Sequence, residues 1–138
     1  NETKIKTKNI LDQIEKNIPS ILRPIKIQKK VSSLNFDWPN YKRVLLKLDE
    51  ELYELKSAIN SKKENNIEEE LGDVFFTLIS LCRHLSKDPD SIIRKANDKF
   101  IKRFNEMENI VEENNIKWHD LNEKQFLNLW SKAKKNIK

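Results

Sequence analysis

Apolar residues recur at intervals of three and four along most of the chain, the spacing that gathers them on one face of a helix. Between Asp37 and about Asn60 they fall at Tyr41, Val44, Leu45, Leu48, Leu52, Leu55 and Ile59. This predicts an amphipathic helix with Asp37 near its start and Pro39 in its first turn. The stretch from about Ile67 to Ser86 differs, because Leu71, Val74, Phe75, Phe76, Leu78, Ile79, Leu81 and Leu85 cover most of a helical circumference. Such a helix is expected to be central and nearly surrounded. The polar run SKKENN joins the two.

A third long helix is expected from Asp88, as its cap, and Pro89, in its first turn, to about Asn114. Its inward residues read Ile93, Ala96, Phe100, Phe104, Met107 and Val111. Asp120 or Asn122 can cap a last helix, each being followed three residues later by Glu123 or Gln125, with Phe126, Leu129, Trp130 and Ala133 on its apolar side. Upstream, Ser20 can cap a shorter helix running to about Leu34, with Ile21, Ile25 and Val31 inward and Pro24 confined to the first turn. Residues 1–19 are polar and lysine-rich, with Ile10, Leu11 and Ile14 at helical spacing, and read as a leader or a partly helical linker. Residues 20–138 read as one helical domain.

Only one glycine and four prolines occur in 138 residues, far fewer turn residues than a sheet protein needs. The fold class is therefore all-α, a helical bundle. The length suits one domain, no repeat is evident, and a chain opening at Asn1 without methionine reads as a piece of something longer. The net charge of +5 attracts phosphate in principle. Lysine far outnumbers arginine and is scattered among 22 acids, so the charge argues only weakly for nucleic acid. The lone Cys82, inside VFFTLISLCRHL, reads as a buried reduced thiol in a cytoplasmic protein. That apolar run is too short to span a bilayer, and no signal-peptide pattern is visible, so no membrane association is expected.

The chemistry concentrates in two acidic pairs. In LDEELYEL, Glu51 and Glu54 are three apart and share a helical face with Lys47 and Glu50; in EEELGDVFF, Glu70 and Asp73 repeat the spacing. Asp73 precedes Val-Phe-Phe, where a bare buried anion would cost several kcal/mol, so it needs a partner. A basic side chain would serve, and so would a metal ion. If the two helices form an antiparallel hairpin, four carboxylates converge and repel one another unless a cation intervenes. All-oxygen ligation favours Mg²⁺, with Mn²⁺ as a substitute, and magnesium characteristically joins carboxylates to substrate phosphates. The Glu-x-x-His motif of di-iron bundles is absent.

Gly72 stands inside the second of these helices, where glycine costs about 1 kcal/mol relative to alanine. Close approach of another helix or of a ligand would account for it equally well. Lys95, Lys99 and Arg103 recur every four residues, which either holds an anion or forms a solvated basic face relieved by Asp98 and Glu106. No phosphate-binding GxxxxGK[ST] loop and no GxSxG nucleophile motif is present.

The succession EExxE, then ExxD, then KANDKFIKRF resembles the MazG family of all-α nucleoside triphosphate pyrophosphohydrolases. The likeness begins near IPSILRPIKIQKKVSSLNFDWP, similar to the segment leading into the second MazG domain, and continues to LWSKAK. It implies that Glu51, Glu54, Glu70 and Asp73 bind metal. It also implies that Lys47, Asn97, Lys99 and Arg103 hold the substrate's phosphates, with Trp130 and Lys134 helping to hold the nucleotide. Glu50 would orient or deprotonate water beside Lys47. Relatives usually carry glycine before Phe-Asp-Trp where this chain has Asn35, a residue that tolerates the left-handed backbone. Trp38 is expected as a core anchor rather than a stacking surface.

The resemblance further implies a homodimer, which would cover the helix that is apolar all round. The expected reaction is metal-dependent hydrolysis of a nucleoside triphosphate to the monophosphate and pyrophosphate. Alternatives are a related enzyme acting on dUTP or a phosphoribosyl nucleotide, and a helical module that senses nucleotide without turnover.

Overall fold

The computed structural model describes residues 9–137; the expected leader falls partly outside them. Five α-helices are described: α1 (Arg23–Ser32), α2 (Tyr41–Asn60), α3 (Glu64–His84), α4 (Pro89–Glu113) and α5 (Glu123–Asn136). Short 3₁₀ turns cover Ile10–Gln13 and Trp118–Asp120, and no strand occurs among the described residues. No described helix is long and apolar enough to cross a membrane. The chain divides into two compact units, meeting in sequence at Asp90 and Ser91.

In the first unit α2 and α3 pack along each other, and α1 packs on α3. Only Ser61–Lys63 separate α2 from α3, and so short a connection makes the two antiparallel neighbours. Lys62 turns the corner in the left-handed region, with φ 56°. Residues equally far from this turn face each other. Glu51 and Asp73 both lie nine residues from the helix ends that meet there, and Glu54 and Glu70 both lie six.

The start of α2 differs from expectation. Asn40 is its cap, accepting the Arg43 N–H at 3.1 Å, and Pro39 precedes the helix. Asp37 is drawn elsewhere. Arg83 donates to its two oxygens at 2.6 and 2.7 Å, Ser32 donates at 2.9 Å, and His84 lies 3.0 Å away. Two hydrogen bonds from one guanidinium outweigh a single cap bond. α1 also starts late, at Arg23 rather than after Ser20, with Pro24 in its first turn. It closes through Phe36 N–H to Val31 C=O at 3.0 Å, with Asn35 at φ 67°, the left-handed turn that asparagine was expected to tolerate.

Few large side chains are buried in this unit. Val44, Ala58, Gln28, Glu51, Thr77 and Ser80 are, whereas Leu71, Phe75, Phe76 and Leu78 stay exposed. The expectation that α3 is nearly surrounded is not met within the unit, since two helices cannot cover a third on all sides. Gly72 is not closely approached either: a Cβ built there would meet nothing within 4 Å.

The second unit has its own core of Met107, Val111, Leu129 and Ala133, with Ile110, Ile116, Trp118, Leu121 and Trp130 packed against it. Asn122 caps α5 in a reciprocal capping box with Gln125, as the spacing predicts. Asp120 ends the 3₁₀ turn instead. Of the expected inward residues of α4, only Met107 and Val111 are buried; Ile93, Phe100 and Phe104 are exposed.

Candidate metal centre

α2 presents Lys47, Glu50 and Glu51 on successive positions of one face, and their charges are arranged unequally. Glu51 is 4% exposed, and the Lys47 ammonium sits 2.9 Å from its Oε1 and 3.8 Å from Oε1 of Glu50. The hydrogen bond to Glu51 raises the Lys47 pKa, helped by the charges of Glu51, Glu50 and Glu54 against the opposing effect of burial. Lysine therefore stays cationic, and it occupies only one of the two Glu51 oxygens. Oε2 of Glu51 is buried without a hydrogen-bond partner in the chain.

Across the hairpin, Oε2 of Glu70 is likewise buried and unpartnered. Burial pushes the Glu70 carboxyl up from its ordinary pKa, and the charge and hydrogen bond of Glu54, with the charges of Glu51 and Asp73, push it further. Glu51, Glu70 and Asp73 can each offer one oxygen such that all three lie within 4.8 Å of one another. Two orphaned acceptors among crowded carboxylates are electrostatically unfavourable as they stand, and a divalent cation satisfies both. Magnesium takes oxygen ligands and commonly binds through one or two carboxylates while keeping waters, a donor set that these three carboxylates offer. The residues fit such an ion.

Glu54 lies outside this trio but beside Glu70, whose titration it perturbs. Asp73, expected to be enclosed by its apolar neighbours, is exposed. The open face of α3 at Gly72 leaves it uncovered and able to meet a ligand. A cavity of about 260 Å³ opens over Lys47, Glu51 and Asp73 and is bordered by Trp38, Phe76, Thr77 and Ser80. These last four were not singled out for the site by the acidic pattern. Asp73, Thr77 and Ser80 share one helical stripe, and that spacing was the available signal. Trp38 borders the cavity and is not a buried anchor; 38% of its surface is exposed.

In the second unit, Lys95, Asp98, Lys99, Lys102 and Arg103 with Ile137 line an open cleft of about 360 Å³. The predicted stripe is thus real and gains Lys102, while Asp98 tempers it. Asn97 is exposed on α4 and Lys134 on α5. Trp130 rests on Phe100, ring centroids 5.1 Å apart, within the aromatic packing of that unit.

The helical hairpin of this all-α chain gathers carboxylates with unsatisfied oxygens, the kind of donor set that could hold a metal ion. The family can be named more closely. The MazG nucleotide pyrophosphohydrolase domain matches residues 40–108, half of the sequence, and the chain belongs to the MazG family. It is 36% identical over 124 residues to the nucleoside triphosphate pyrophosphohydrolase/pyrophosphatase MazG of Thermotoga maritima, covering 90% of this chain and 48% of that protein. It is 33% identical over 129 residues to the nucleoside triphosphate pyrophosphohydrolase of Escherichia coli K12, covering 91% and 48%. It is also 31% identical over 71 residues to the uncharacterized protein YabN of Bacillus subtilis, covering 51% and 14%. The chain spans about half the length of the first two relatives.

Proposed function

We propose that residues 20–138 form a catalytic domain that hydrolyses nucleoside triphosphates to the monophosphate and pyrophosphate. The observation that carries this is the trio Glu51, Glu70 and Asp73 with its two buried, unpartnered carboxylate oxygens. The names of the relatives from Thermotoga maritima and Escherichia coli support the same substrate class. Glu51, Glu54, Glu70 and Asp73 are the proposed metal ligands, and Mg²⁺, with Mn²⁺ as a substitute, is the proposed cofactor. When bound, the ion neutralises phosphate oxygens, lowers the pKa of water and stabilises the leaving pyrophosphate.

The chain's own groups do the rest. Lys47, kept cationic by Glu51, donates to a phosphate oxygen as charge develops. Glu50, largely exposed beside Lys47, orients the attacking water or accepts its proton. Asn97, Lys99, Arg103, Trp130 and Lys134 of the second unit are proposed to bind the nucleotide, a role supported by family membership and by the basic cleft that Lys99 and Arg103 share. Attack of water at the α-phosphorus needs no covalent intermediate. The proposal includes a homodimer, supported by the exposed apolar stripes of α3 and α4, and a cytoplasmic setting.

Incubation with a panel of ribo- and deoxyribonucleoside triphosphates, with Mg²⁺, Mn²⁺ or chelator, tests it by chromatography of the products. Monophosphate and pyrophosphate formed only with metal is the expected result. Selective cleavage of dUTP or a phosphoribosyl nucleotide would move the protein to a related activity. Metal-dependent binding without any product would make it a nucleotide sensor.

A further inference from the structure

The connection between α1 and α2, residues 33–40, is held only weakly by burial. All of its residues are exposed, Phe36 by 77%. A cavity of about 380 Å³ is lined by Phe36, Asp37 and Trp38 of the connection and by Phe76, Ser80 and Arg83 of α3, so the two are not tightly packed there. The backbone hydrogen bonds of the connection are local: the N–H groups of Leu34, Asn35 and Phe36 reach back to Val31 and Ser32, and Asn40 caps α2.

Asp37 supplies the tie that burial does not. Its side chain is 19% exposed. It accepts two hydrogen bonds from Arg83 at the end of α3, with His84 3.0 Å away, and one from Ser32 at the end of α1. Among the described residues, the hydrogen bonds that join the connection to α3 all run through this carboxylate. It also accepts the backbone N–H of Trp38 at 2.8 Å. Trp38 borders the cavity over Lys47, Glu51 and Asp73. Arg83 lies about 15 Å along α3 from Asp73, at the helical rise of about 1.5 Å per residue, and its terminal nitrogens are committed to Asp37. Its route of influence on the acidic cavity is therefore through Trp38.

We propose that Asp37 and Arg83 are positioning residues for the acidic cavity: their ion pair fastens the connection to α3 and holds Trp38 in the cavity wall before a ligand arrives. This rests on the hydrolase reading of that cavity. Without the ion pair the wall is in place in only a fraction of the free molecules, and a nucleoside triphosphate must select that fraction. Binding is weakened accordingly, while the bound state, once formed, is unchanged.

The test is a kinetic comparison at saturating Mg²⁺. Asp37→Asn and Arg83→Gln each raise KM for nucleoside triphosphates by about 10-fold and leave kcat within about twofold, the scale of one lost hydrogen bond to a charged group expressed in binding alone. Arg83→Lys, which keeps the charge, recovers part of the loss. A purely structural role has a different signature, because unfolding of some molecules lowers kcat and leaves KM. A fall in kcat with KM unchanged, or no change in either, overturns the proposal. The place of Trp38 is read apart from turnover by fluorine NMR of protein carrying fluorotryptophan at its three tryptophans, with the Trp38 signal assigned by Trp38→Phe. The H₂O–D₂O isotope shift of that signal grows with solvent exposure. It increases in Asp37→Asn and Arg83→Gln and returns toward the wild-type value in Arg83→Lys; an unchanged shift overturns the proposal. A wild type inert toward every triphosphate defeats the hydrolase reading instead, and the fluorine signal then decides alone whether the pair positions Trp38.

Discussion

Lys47 reaches one helical turn along α2 to Glu51, placing its ammonium 2.9 Å from Oε1 and leaving Oε2 of the same carboxylate buried without a partner. The lysine orients the carboxylate and compensates part of its charge, and the second oxygen is free to ligate. Replacing Glu51 by Gln preserves the shape and removes the anion. Mg²⁺ or Mn²⁺ should raise the thermal midpoint of the wild type by linkage and raise that of Glu51→Gln much less, in paired melts with and without chelator. An equal gain in both would exclude Glu51 as a ligand.

Asp73 is exposed and forms no ion pair with a basic side chain among the described residues, so little stability depends on its charge. Asp73→Asn should leave the melting profile of the metal-free protein unchanged or slightly raised, because it removes repulsion toward Glu70. Turnover should fall on the order of 10²-fold or more, the scale of a lost electrostatic contact in a transition state. Quantifying pyrophosphate release at saturating metal checks this, and activity near the wild-type level would remove Asp73 from the site.

The Asp37 latch gives a pH dependence of definite sign. Hydrogen bonding from Arg83 holds the carboxyl well below the usual carboxylate range, aided by His84, Ser32 and the Trp38 N–H and opposed by burial. A depressed folded-state pKa contributes stability above the ordinary value of 3.8, and that contribution is lost as pH falls through the folded value. Asp37→Asn should therefore cost about 1.5–3 kcal/mol near neutrality in urea unfolding, the range for hydrogen bonds to a charged group. The gap between variant and wild type should close in strong acid, below pH 3.8. A gap independent of pH would assign the loss to shape rather than charge.

Asp37 also shows where sequence periodicity stops being informative. The existence of α2 to α5 follows from apolar spacing, and the facing of Glu51 with Asp73 follows from the short turn between their helices. Those are local properties. Asp37 before Trp-Pro carries every local sign of a helix cap, yet its partners Arg83 and His84 lie some forty-six residues away, and no local rule registers them. The cavity lined by Phe36, Trp38 and Phe76 was hidden for the same reason, because Phe76 is distant in sequence from the segment that carries the other two. Burial was over-read on α3: periodicity tells how many faces are apolar, not how many neighbours exist to cover them.

Gly72 offers a test of that uncovered surface. A Cβ there meets nothing within 4 Å, and φ is not positive, so alanine fits without strain. Gly72→Ala should stabilise the chain by about 1 kcal/mol through helix propensity alone. A loss of stability would reveal a close approach at Gly72 that the single chain does not contain, and sedimentation of the variant would show whether a second copy provides it.

The proposed dimer is open to direct test through α3. Leu71, Phe75 and Leu78 recur at spacings of four and three and are all exposed, Phe75 by 55%, forming one apolar stripe. Burying such a stripe gains roughly 25 cal/mol for each Å² of apolar surface, and stable interfaces bury on the order of 1,200–2,000 Å² in total. Wild-type protein should therefore associate reversibly in sedimentation equilibrium, with a thermal midpoint that rises with concentration. Phe75→Lys places a charge in the stripe and should shift the equilibrium to monomer while leaving the helical content intact. A wild type that stays monomeric at its highest soluble concentration would exclude the homodimer, and a dimer unaffected by Phe75→Lys would move the interface away from this stripe of α3.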